Sequence, residues 1–399
     1  MNKNIILLVT DLVNFEECLP MAYFLGKNLY LIDLNDVIKD SNYSKELISK
    51  VNIIVIKNKN SLAYNLLSFF NKVLFKLNLS IKFLDNFVFQ LRLNNYDKVY
   101  FNTINSIIEI NSISHVLIRP NNDILVGKII KRYKAISKHI CIIGISQAIP
   151  ALTNLIQYKD DISMPSQKEF FHKDSSLVYY CNKIISNSKT ATNIYKKINI
   201  DFMYKIFSLK SLRNTYEWQQ LIVSDYYLQN KKHANNSQIK VLLLHSNFIS
   251  NINHEEVRRS IRIINQYDNF EIGIRPHIRF GSKKNNSEVK YLFNGIKNYK
   301  IFSKSLMEGI LWSDICIFYG SSAAVDAISQ NKDVIYLRYA TSCSLDEELE
   351  KNIHICDNPD EFMILISSIM NSNLPSKVDY TLSNAELLTK QWKKLLELK

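Results

Sequence analysis

The sequence predicts an α/β protein built from two doubly wound parallel sheets, each in its own domain, that face one another across a cleft. Short, continuous apolar runs alternate with helical patterns for most of the chain. A polar stretch at Leu228–Gln238 interrupts this rhythm, which then starts again. Continuous apolar strands separated by helices are typical of parallel sheets covered on both faces.

In the first half, eight apolar runs have the length and the polar boundaries of buried strands. They are Ile5–Thr10, Asn28–Leu34, Asn52–Ile56, Lys98–Asn102, His115–Ile118, Ile140–Ser146, Lys183–Ser186 and Tyr204–Phe207. Between them, Ser61–Leu93 is unusually rich in Phe and Leu, with interleaved lysines. This segment fits either a helical hairpin packed on the sheet or a basic amphipathic helix lying in a membrane interface.

The second half repeats the pattern with four strands and five helices. The predicted strands are Ile239–Leu244, Phe270–Ile274, Ile315–Phe318 and Asp333–Leu337, and the helices are Glu255–Asn265, Lys304–Trp312, Ser321–Gln330, Pro359–Met370 and one within Asn384–Leu398. We therefore expect domains at residues 1–230 and 231–380, followed by a terminal helix at 381–399. Ligands of such sheets bind at the carboxyl ends of the strands, so we expect the site in the cleft.

The chain of 399 residues has 50 Lys and Arg against 37 Asp and Glu, a net charge of +13. This excess indicates an anionic partner, namely nucleic acid, an anionic membrane face or a phosphate-bearing substrate, although biased codon composition also explains many lysines. Neither G-x-G-x-x-G nor G-x-x-x-x-G-K-[ST] occurs, so nothing local supports a dinucleotide site or a P-loop.

The cysteines and the apolar segments predict a cytoplasmic protein. None of the six cysteines forms C-x-x-C or has zinc-site spacing with the eight histidines, which fits free thiols in a reducing compartment. No stretch of 18 uncharged apolar residues occurs, and the first residues are too short a run for a signal peptide.

Two segments of the second half carry the groups of a phosphate site. Gly320, Ser321 and Ser322 form a turn between a strand and a helix, where free N–H groups and hydroxyls bind anions. The alternative is that Ser321 only caps the helix. Arg275 and His277 follow another strand, and Arg279 lies close by; both residue types bind phosphate.

Two polar residues follow the first strand of the second half. They are His245 and Ser246, which with the following Asn247 form a polar trio that either contacts a ligand or begins the next helix.

These motifs resemble the second domain of GT-B glycosyltransferases, chiefly over residues 239–340. Arg275-Pro276-His277 is similar to their H-P element, and Gly320-Ser321-Ser322 to their S-S pair at a helix start. The strand Lys183–Ser186 also resembles the end of their first domain. The nearest resemblance is to bacterial surface-polysaccharide enzymes: sialyltransferase-like and Kdo-transferase-like enzymes that use CMP-sugars, and CDP-glycerol polymer transferases.

The resemblance implies that the H-P and S-S elements hold the phosphate of a donor nucleotide and that the terminal helix crosses back to the first domain. Two positions depart from the pattern. Many GT-B enzymes have Glu where Asp326 stands, to hold a ribose, and here Pro276 precedes His277.

An inverting transferase also needs a base that deprotonates the acceptor. The first half offers two groups of carboxylates, Asp11 with Glu16 and Glu17 after the first strand and Asp160 with Asp161, although adjacent carboxylates often only face solvent. Glu308 precedes the Ser pair by one helix and could contact the donor sugar or base.

The sequence thus predicts a glycosyltransferase that transfers a sugar from a nucleotide-sugar, with CMP favoured, to a growing surface glycan. The candidate catalytic residues are Glu16, Glu17, Asp160, Asp161 and His277, and the candidate donor-binding residues are His245, Ser246, Arg275, His277, Glu308, Gly320, Ser321 and Ser322. No spacing requires a metal or a cofactor.

We expect as partners a nucleotide-sugar donor and a glycan or lipid-linked acceptor, with peripheral contact to an anionic inner membrane and no nucleic acid. Two alternatives stay open: a UDP-sugar 2-epimerase of the same fold, which needs no acceptor, and a non-enzymatic protein that binds polyanions. The lysines are spread throughout rather than grouped with stacking aromatics, as nucleic-acid binding would favour.

Overall fold

The structure is a computed structural model, and it describes most but not all of the chain. The described residues are 4–41, 43–56, 98–119, 124–145, 180–186, 192, 193, 196, 204–229, 238–245, 252–276, 282–296, 298–303, 305–321, 323–341, 345, 347–371 and 382–397. The segment 61–93 and the carboxylates Asp160 and Asp161 lie outside these residues, as do Ser246, His277 and Ser322.

The first lobe is built on a parallel sheet of seven strands in the order β3-β2-β1-β4-β5-β6-β7. The strands are β1 (Asn4–Val9), β2 (Leu29–Asp33), β3 (Asn52–Val55), β4 (Ile113–Ile118), β5 (Cys141–Ile145), β6 (Lys183–Ser186) and β7 (Ile206–Ser208). The helices with full bounds are α1 (Leu12–Leu25), α2 (Lys45–Ser49), α3 (Ile124–Ile136) and α4 (Tyr216–Gln229). One apolar cluster packs on each face of the sheet, as expected for parallel strands.

The second lobe has a parallel sheet of six strands in the order β10-β9-β8-β11-β12-β13. The strands are β8 (Ile239–Leu244), β9 (Phe270–Arg275), β10 (Tyr299–Ile301), β11 (Ile315–Phe318), β12 (Asp333–Leu337) and β13 (His354–Cys356). The helices are α5 (His254–Ile264), α6 (Ser282–Leu292), α7 (Leu306–Trp312), α8 (Ala323–Ser329), α9 (Glu347–Glu350) and α10 (Pro359–Met370). Apolar clusters again cover both faces.

The terminal helix α11 (Ala385–Leu395) returns to the first lobe. Leu388 and Trp392 are buried in the same apolar cluster as α1, and the Trp392 indole N–H donates to the Lys210 carbonyl at 3.2 Å. The Lys183 ammonium donates to the Leu395 carbonyl at 3.2 Å, where the negative end of the helix dipole favours a cation. The predicted fold class, with two facing parallel-sheet domains and a returning helix, is confirmed.

The structure differs from the predicted elements at several places, and the helices α6 and α9 are among the elements that were not predicted. The run Lys98–Asn102 is helical, within a helix over residues 98–107, because Tyr100, Ile104 and Ile108 recur every four residues and bury one helical face. The edge strands β10 and β13 were not predicted, since three residues are too few to show a pattern.

Among the described helices, none combines the length and the apolar character needed to cross a bilayer. Within the same residues, no group of three or more His, Cys, Asp and Glu side chains is arranged to hold a metal ion. The five described cysteines are free thiols, and four of them are buried.

Candidate active site between the lobes

Each sheet reverses its strand order at its middle, and a polar pair lies across each of these switch points. In the first lobe, the Arg119 guanidinium after β4 contacts the Asp11 carboxylate after β1 at 3.0 Å. In the second lobe, the His245 ring after β8 is hydrogen-bonded to the Tyr319 hydroxyl after β11. Ligands of open α/β sheets bind at switch points, so both pairs mark the edges that face the cleft.

His245 is held on both ring nitrogens. Its Nδ1 meets the Tyr319 hydroxyl, and its Nε2 lies 3.2 Å from the Glu288 carboxylate on α6. All three side chains are buried. The ring orientation of His245 is therefore fixed by two neighbours, and its predicted contact with a donor stays a prediction.

The turn between β11 and α8 has the geometry that the sequence predicted. Gly320 has a φ of 133°, a conformation that favours glycine, and it lets the chain turn sharply into the helix. The Ser321 hydroxyl accepts a hydrogen bond from the Ala323 N–H at 3.3 Å, so it caps the first turn of α8.

Arg275 ends β9 and is buried beneath the loop that follows β10. Its Nη1 is within 3.1 to 3.3 Å of three backbone carbonyls, those of Pro276, Phe302 and Ser303. Burial lowers the pKa of Arg275, while the neighbouring Glu16 and Glu308 carboxyls act in the opposite direction. Arg275 thus fixes the carboxyl ends of two strands and lies near carboxyls from both lobes.

A buried ionic network, here called the lobe junction, joins the two lobes. Its centre is Arg213, in a short 3-10 turn after β7. The guanidinium contacts the Glu17 carboxylate of α1 at 2.7 Å and the Asp326 carboxylate of α8 at 2.6 Å. The Gln219 amide on α4 donates to Asp326 at 3.2 Å and accepts from the Gln330 amide at 3.2 Å. The first lobe is therefore anchored to α8, directly behind the Gly320 turn.

The partners in the lobe junction satisfy one another. Burial alone would lower the pKa of Arg213, but the carboxylates of Asp326, Glu17 and Glu16 raise it well above its usual value. Glu17 also accepts from the Ser211 hydroxyl at 3.5 Å. Glu17 and Asp326 are thus occupied by Arg213.

Beside the lobe junction lies a cavity of roughly 290 Å³, here called the cleft pocket. Both lobes contribute to its walls, which combine carboxyls, one arginine, three aromatic rings and a few apolar side chains. They are Glu16, Ser41, Tyr43, Arg213, Trp218, Ile222, Asp225, Tyr226, Ser305, Leu306, Met307, Glu308 and Asp326.

Glu16 lines this pocket on α1, one residue before the engaged Glu17. Enclosure by protein raises the pKa of the Glu16 carboxyl, and the nearby Arg213 and Arg275 only partly oppose this. The pKa of Tyr43 is raised well above its usual value, first by burial and then by the charge of Glu16. The pocket therefore contains a carboxyl that holds its proton to higher pH than an ordinary glutamate.

Glu308 faces the pocket from the second lobe, in the first turn of α7. Its backbone N–H donates to the Ser305 hydroxyl, which caps that helix, at 3.3 Å. The carboxylates of Glu16 and Glu308 have no hydrogen-bond or ion-pair partner among the described residues. The buried Ser41 hydroxyl lacks one as well.

The structure brings together only part of the predicted site. Glu16 and Glu308, from opposite lobes, share the cleft pocket, whereas Glu17 belongs to the lobe junction. No sequence motif indicates Arg213 or Asp225, because both reach the cleft only through the packing of the lobes.

Comparison with known proteins shows similarity in structure but not in sequence. No protein-family model matches the chain, and no curated protein matches its sequence. The chain is similar to a putative UDP-N-acetylglucosamine 2-epimerase from Listeria monocytogenes (TM-score 0.58, 9% identity, covering 100% of this chain and 98% of that one). It is also similar to the UDP-GlcNAc 2-epimerase of Neisseria meningitidis bound to UDP-GlcNAc, with a TM-score of 0.56 and 11% identity, covering 98% of this chain and 99% of that one.

A glycosyltransferase from Rickettsia africae has a comparable likeness, with a TM-score of 0.54, 14% identity and coverage of 100% and 98%. At these identities the likeness shows the fold alone. Since it extends over nearly the whole length of both chains in each case, the two lobes and the returning helix together form a fold of the GT-B type.

Proposed function

We propose that the chain is an enzyme that acts on a nucleotide-sugar held between its lobes, and that its reaction is 2-epimerisation of a UDP-N-acetylhexosamine. The observation that carries this proposal is the cleft pocket, which is lined by Glu16 from one lobe and Glu308 from the other. Neither carboxyl has a hydrogen-bond partner among the described residues. The end-to-end likeness to two 2-epimerases supports the choice of reaction.

The chemistry of the pocket suits proton transfer at a sugar carbon. Epimerisation at C2 breaks the C–H bond of that carbon. Because no carbonyl is adjacent, the electron pair forms a C1=C2 double bond as the C1–O bond to UDP breaks, and UDP then adds back at C1 while a proton is delivered to the opposite face of C2. A carboxyl that holds its proton to higher pH than an ordinary glutamate can donate a proton as well as accept one, which general acid–base catalysis requires. We assign this role to Glu16, with Glu308 as the second carboxylate.

In this proposal the diphosphate lies outside the cleft pocket, near the Gly320 turn and Arg275. Among the described residues, the walls of the pocket carry four carboxyls and one arginine, which does not suit a diphosphate. The Gly320 turn ends in a helix start at the carboxyl edge of the sheet, a usual place for phosphate oxygens.

Glycosyl transfer to a glycan acceptor is the second candidate. The likeness to the glycosyltransferase from Rickettsia africae favours it, as does the resemblance of the Gly320-Ser321-Ser322 motif to donor sites of transferases. In that reaction Glu16 or Glu308 would deprotonate an acceptor hydroxyl, and UDP would be released only when an acceptor is present.

One experiment separates the two candidates. The chain is incubated with UDP-N-acetylglucosamine alone in D₂O, and the products are followed by proton NMR. We expect a second UDP-N-acetylhexosamine, epimeric at C2, and deuterium at that carbon, because the returning proton comes from solvent.

Release of UDP that depends on an added glycan acceptor, without C2 exchange, would instead establish the transferase. No turnover of any nucleotide-sugar, with or without acceptor, would overturn the proposed function.

A further inference from the structure

Beyond the proposed function, we infer that the amino edge of the first-lobe sheet docks on an anionic lipid surface. This surface, here called the basic edge, consists of lysines and exposed apolar side chains around the amino ends of β5, β6 and β7. Its lysines are Lys131, Lys134, Lys138, Lys183 and Lys205. Ligands of parallel sheets bind at the carboxyl ends of the strands, so docking through the amino edge leaves the cleft open.

Two of these lysines meet at the segment Tyr180–Lys183, which leads into β6. The Lys134 ammonium, in the last turn of α3, donates to the Asn182 side-chain carbonyl at 3.0 Å. The Lys205 ammonium, just before β7, donates to the Cys181 backbone carbonyl at 3.2 Å. These hydrogen bonds hold two cations side by side, although they are 71 residues apart in the sequence.

The other three lysines surround the same segment. The Lys131 ammonium lies 5.7 Å from the centre of the Tyr180 ring. The Lys183 ammonium donates to the Leu395 carbonyl at the end of α11 at 3.2 Å. Lys138 is exposed in the turn between α3 and β5. The fold therefore gathers lysines that are scattered along the chain.

Carboxylates compensate little of this charge. All the lysines of the basic edge except Lys205 lack an ion-pair partner among the residues that the structure describes. Burial raises the pKa of the Cys141 thiol at the start of β5; Lys183 and Lys134 lower it, and Glu397 opposes them. A local excess of cations favours an anionic partner.

Exposed apolar side chains lie among these lysines and favour lipid over nucleic acid. Ile136 at the end of α3 is 42% exposed, Phe207 on the edge strand β7 is 40% exposed, and Tyr204 is 71% exposed. At a membrane such side chains enter the headgroup region, while lysines on long apolar stems reach the anionic headgroups. Binding of single-stranded nucleic acid relies on stacking, to which an aliphatic side chain such as Ile136 does not contribute.

Co-sedimentation of the full chain with vesicles tests the proposal. We compare vesicles of phosphatidylcholine mixed with phosphatidylglycerol and vesicles of phosphatidylcholine alone. The anionic vesicles should bind at least about tenfold more tightly, because each lysine near an anionic leaflet strengthens binding by about fivefold. Added salt should weaken this binding, since it screens exposed charges.

Variants locate the docking surface. Lys131→Glu combined with Lys138→Glu should weaken binding to the anionic vesicles by about tenfold or more, because it reverses two exposed charges of the basic edge. The matched control, Lys290→Glu with Lys351→Glu, makes the same change in net charge at exposed lysines of the second lobe and should bind like wild type. Ile136→Ser should also weaken vesicle binding, since it removes an apolar side chain that enters the headgroup region.

Three results would overturn this inference. They are no binding to the anionic vesicles, equal losses in the two double variants, and tighter binding of a single-stranded RNA than of vesicles through Lys131 and Lys138. Fluorescence anisotropy measures the RNA affinity. Turnover of the nucleotide-sugar should be unchanged in the Lys131 and Lys138 double variant, because the cleft lies at the opposite edge of the sheet. Docking by a chain without turnover would leave this inference intact and overturn only the proposed function.

Discussion

Glu16 and Glu17 are neighbours on α1, yet they lie in opposite kinds of environment. In the lobe junction, Glu17 is bound by Arg213 at 2.7 Å, and Asp326 shares the same guanidinium. In the cleft pocket, Glu16 is enclosed and has a raised pKa, without a hydrogen-bond partner among the residues that the structure describes. The junction satisfies its polar groups within the protein, whereas the pocket leaves them for a ligand.

This contrast separates stability from function within one short helix. Groups that are already paired stabilise the arrangement of the two lobes, and removing one of them leaves buried charges behind. Groups that are enclosed and unpaired lower stability, and proteins retain such groups mostly where binding or catalysis needs them. Substitutions in the two regions should therefore have different consequences.

Arg213→Met should have the largest effect, a loss of about 3–5 kcal/mol in the free energy of unfolding, because it leaves two buried carboxylates without their cation. Urea denaturation measures this loss. The matched control is Arg338→Met, since Arg338 also contacts two carboxylates, those of Glu350 and Asp357, but is 40% exposed.

Exposed ion pairs contribute about 1 kcal/mol or less, so the Arg338 variant should stay close to wild type. Equal losses in the two variants would contradict the buried, bridging role that the structure gives to Arg213.

Glu16→Gln should leave the fold intact and reduce turnover of the nucleotide-sugar by about 100-fold or more. General acid–base groups contribute about 10²- to 10⁴-fold, and an amide cannot transfer the proton. Steady-state kinetics measures the effect, with Glu46→Gln, an exposed change on α2, as the control. Wild-type turnover in Glu16→Gln would remove Glu16 from the chemistry.

The smallest predicted effect is a dependence of stability on pH. Since the pKa of Glu16 is raised above its ordinary 4.5 in the folded chain, folding favours its protonated form. The stability that this form contributes is complete below the ordinary pKa and is lost as the pH rises through the raised value. Glu16→Gln should therefore melt at a higher temperature than wild type at pH 8, and this difference should shrink toward pH 4.

Thermal melts at both pH values test this sign. A variant that is less stable than wild type at pH 8 would place Glu16 with Glu17, among the paired groups.

The sequence predicted those features that depend on residues close together in the chain. The strands β8 and β11 have the predicted bounds, and the predicted turn between a strand and a helix lies at Gly320. The predicted strand Lys98–Asn102 is wrong, because these residues belong to a helix over residues 98–107. A window of five residues is too short to distinguish the 3.6-residue period of a helix from the two-residue period of a strand.

The lobe junction could not be predicted, because it depends on distant pairing. Arg213 and Asp326 are 113 residues apart, and neither position belongs to a motif that names its partner. The adjacent pair of Glu16 and Glu17 was recognised as a candidate, but only the packing of α1 between the lobes shows which of the two faces the pocket.

A crystal structure of the chain with UDP-N-acetylglucosamine tests the central claim most directly. We predict that the sugar ring occupies the cleft pocket, with hydroxyl groups within hydrogen-bond distance of Glu16 and Glu308, while the lobe junction stays intact. A sugar bound elsewhere, with the pocket still empty, would contradict the account.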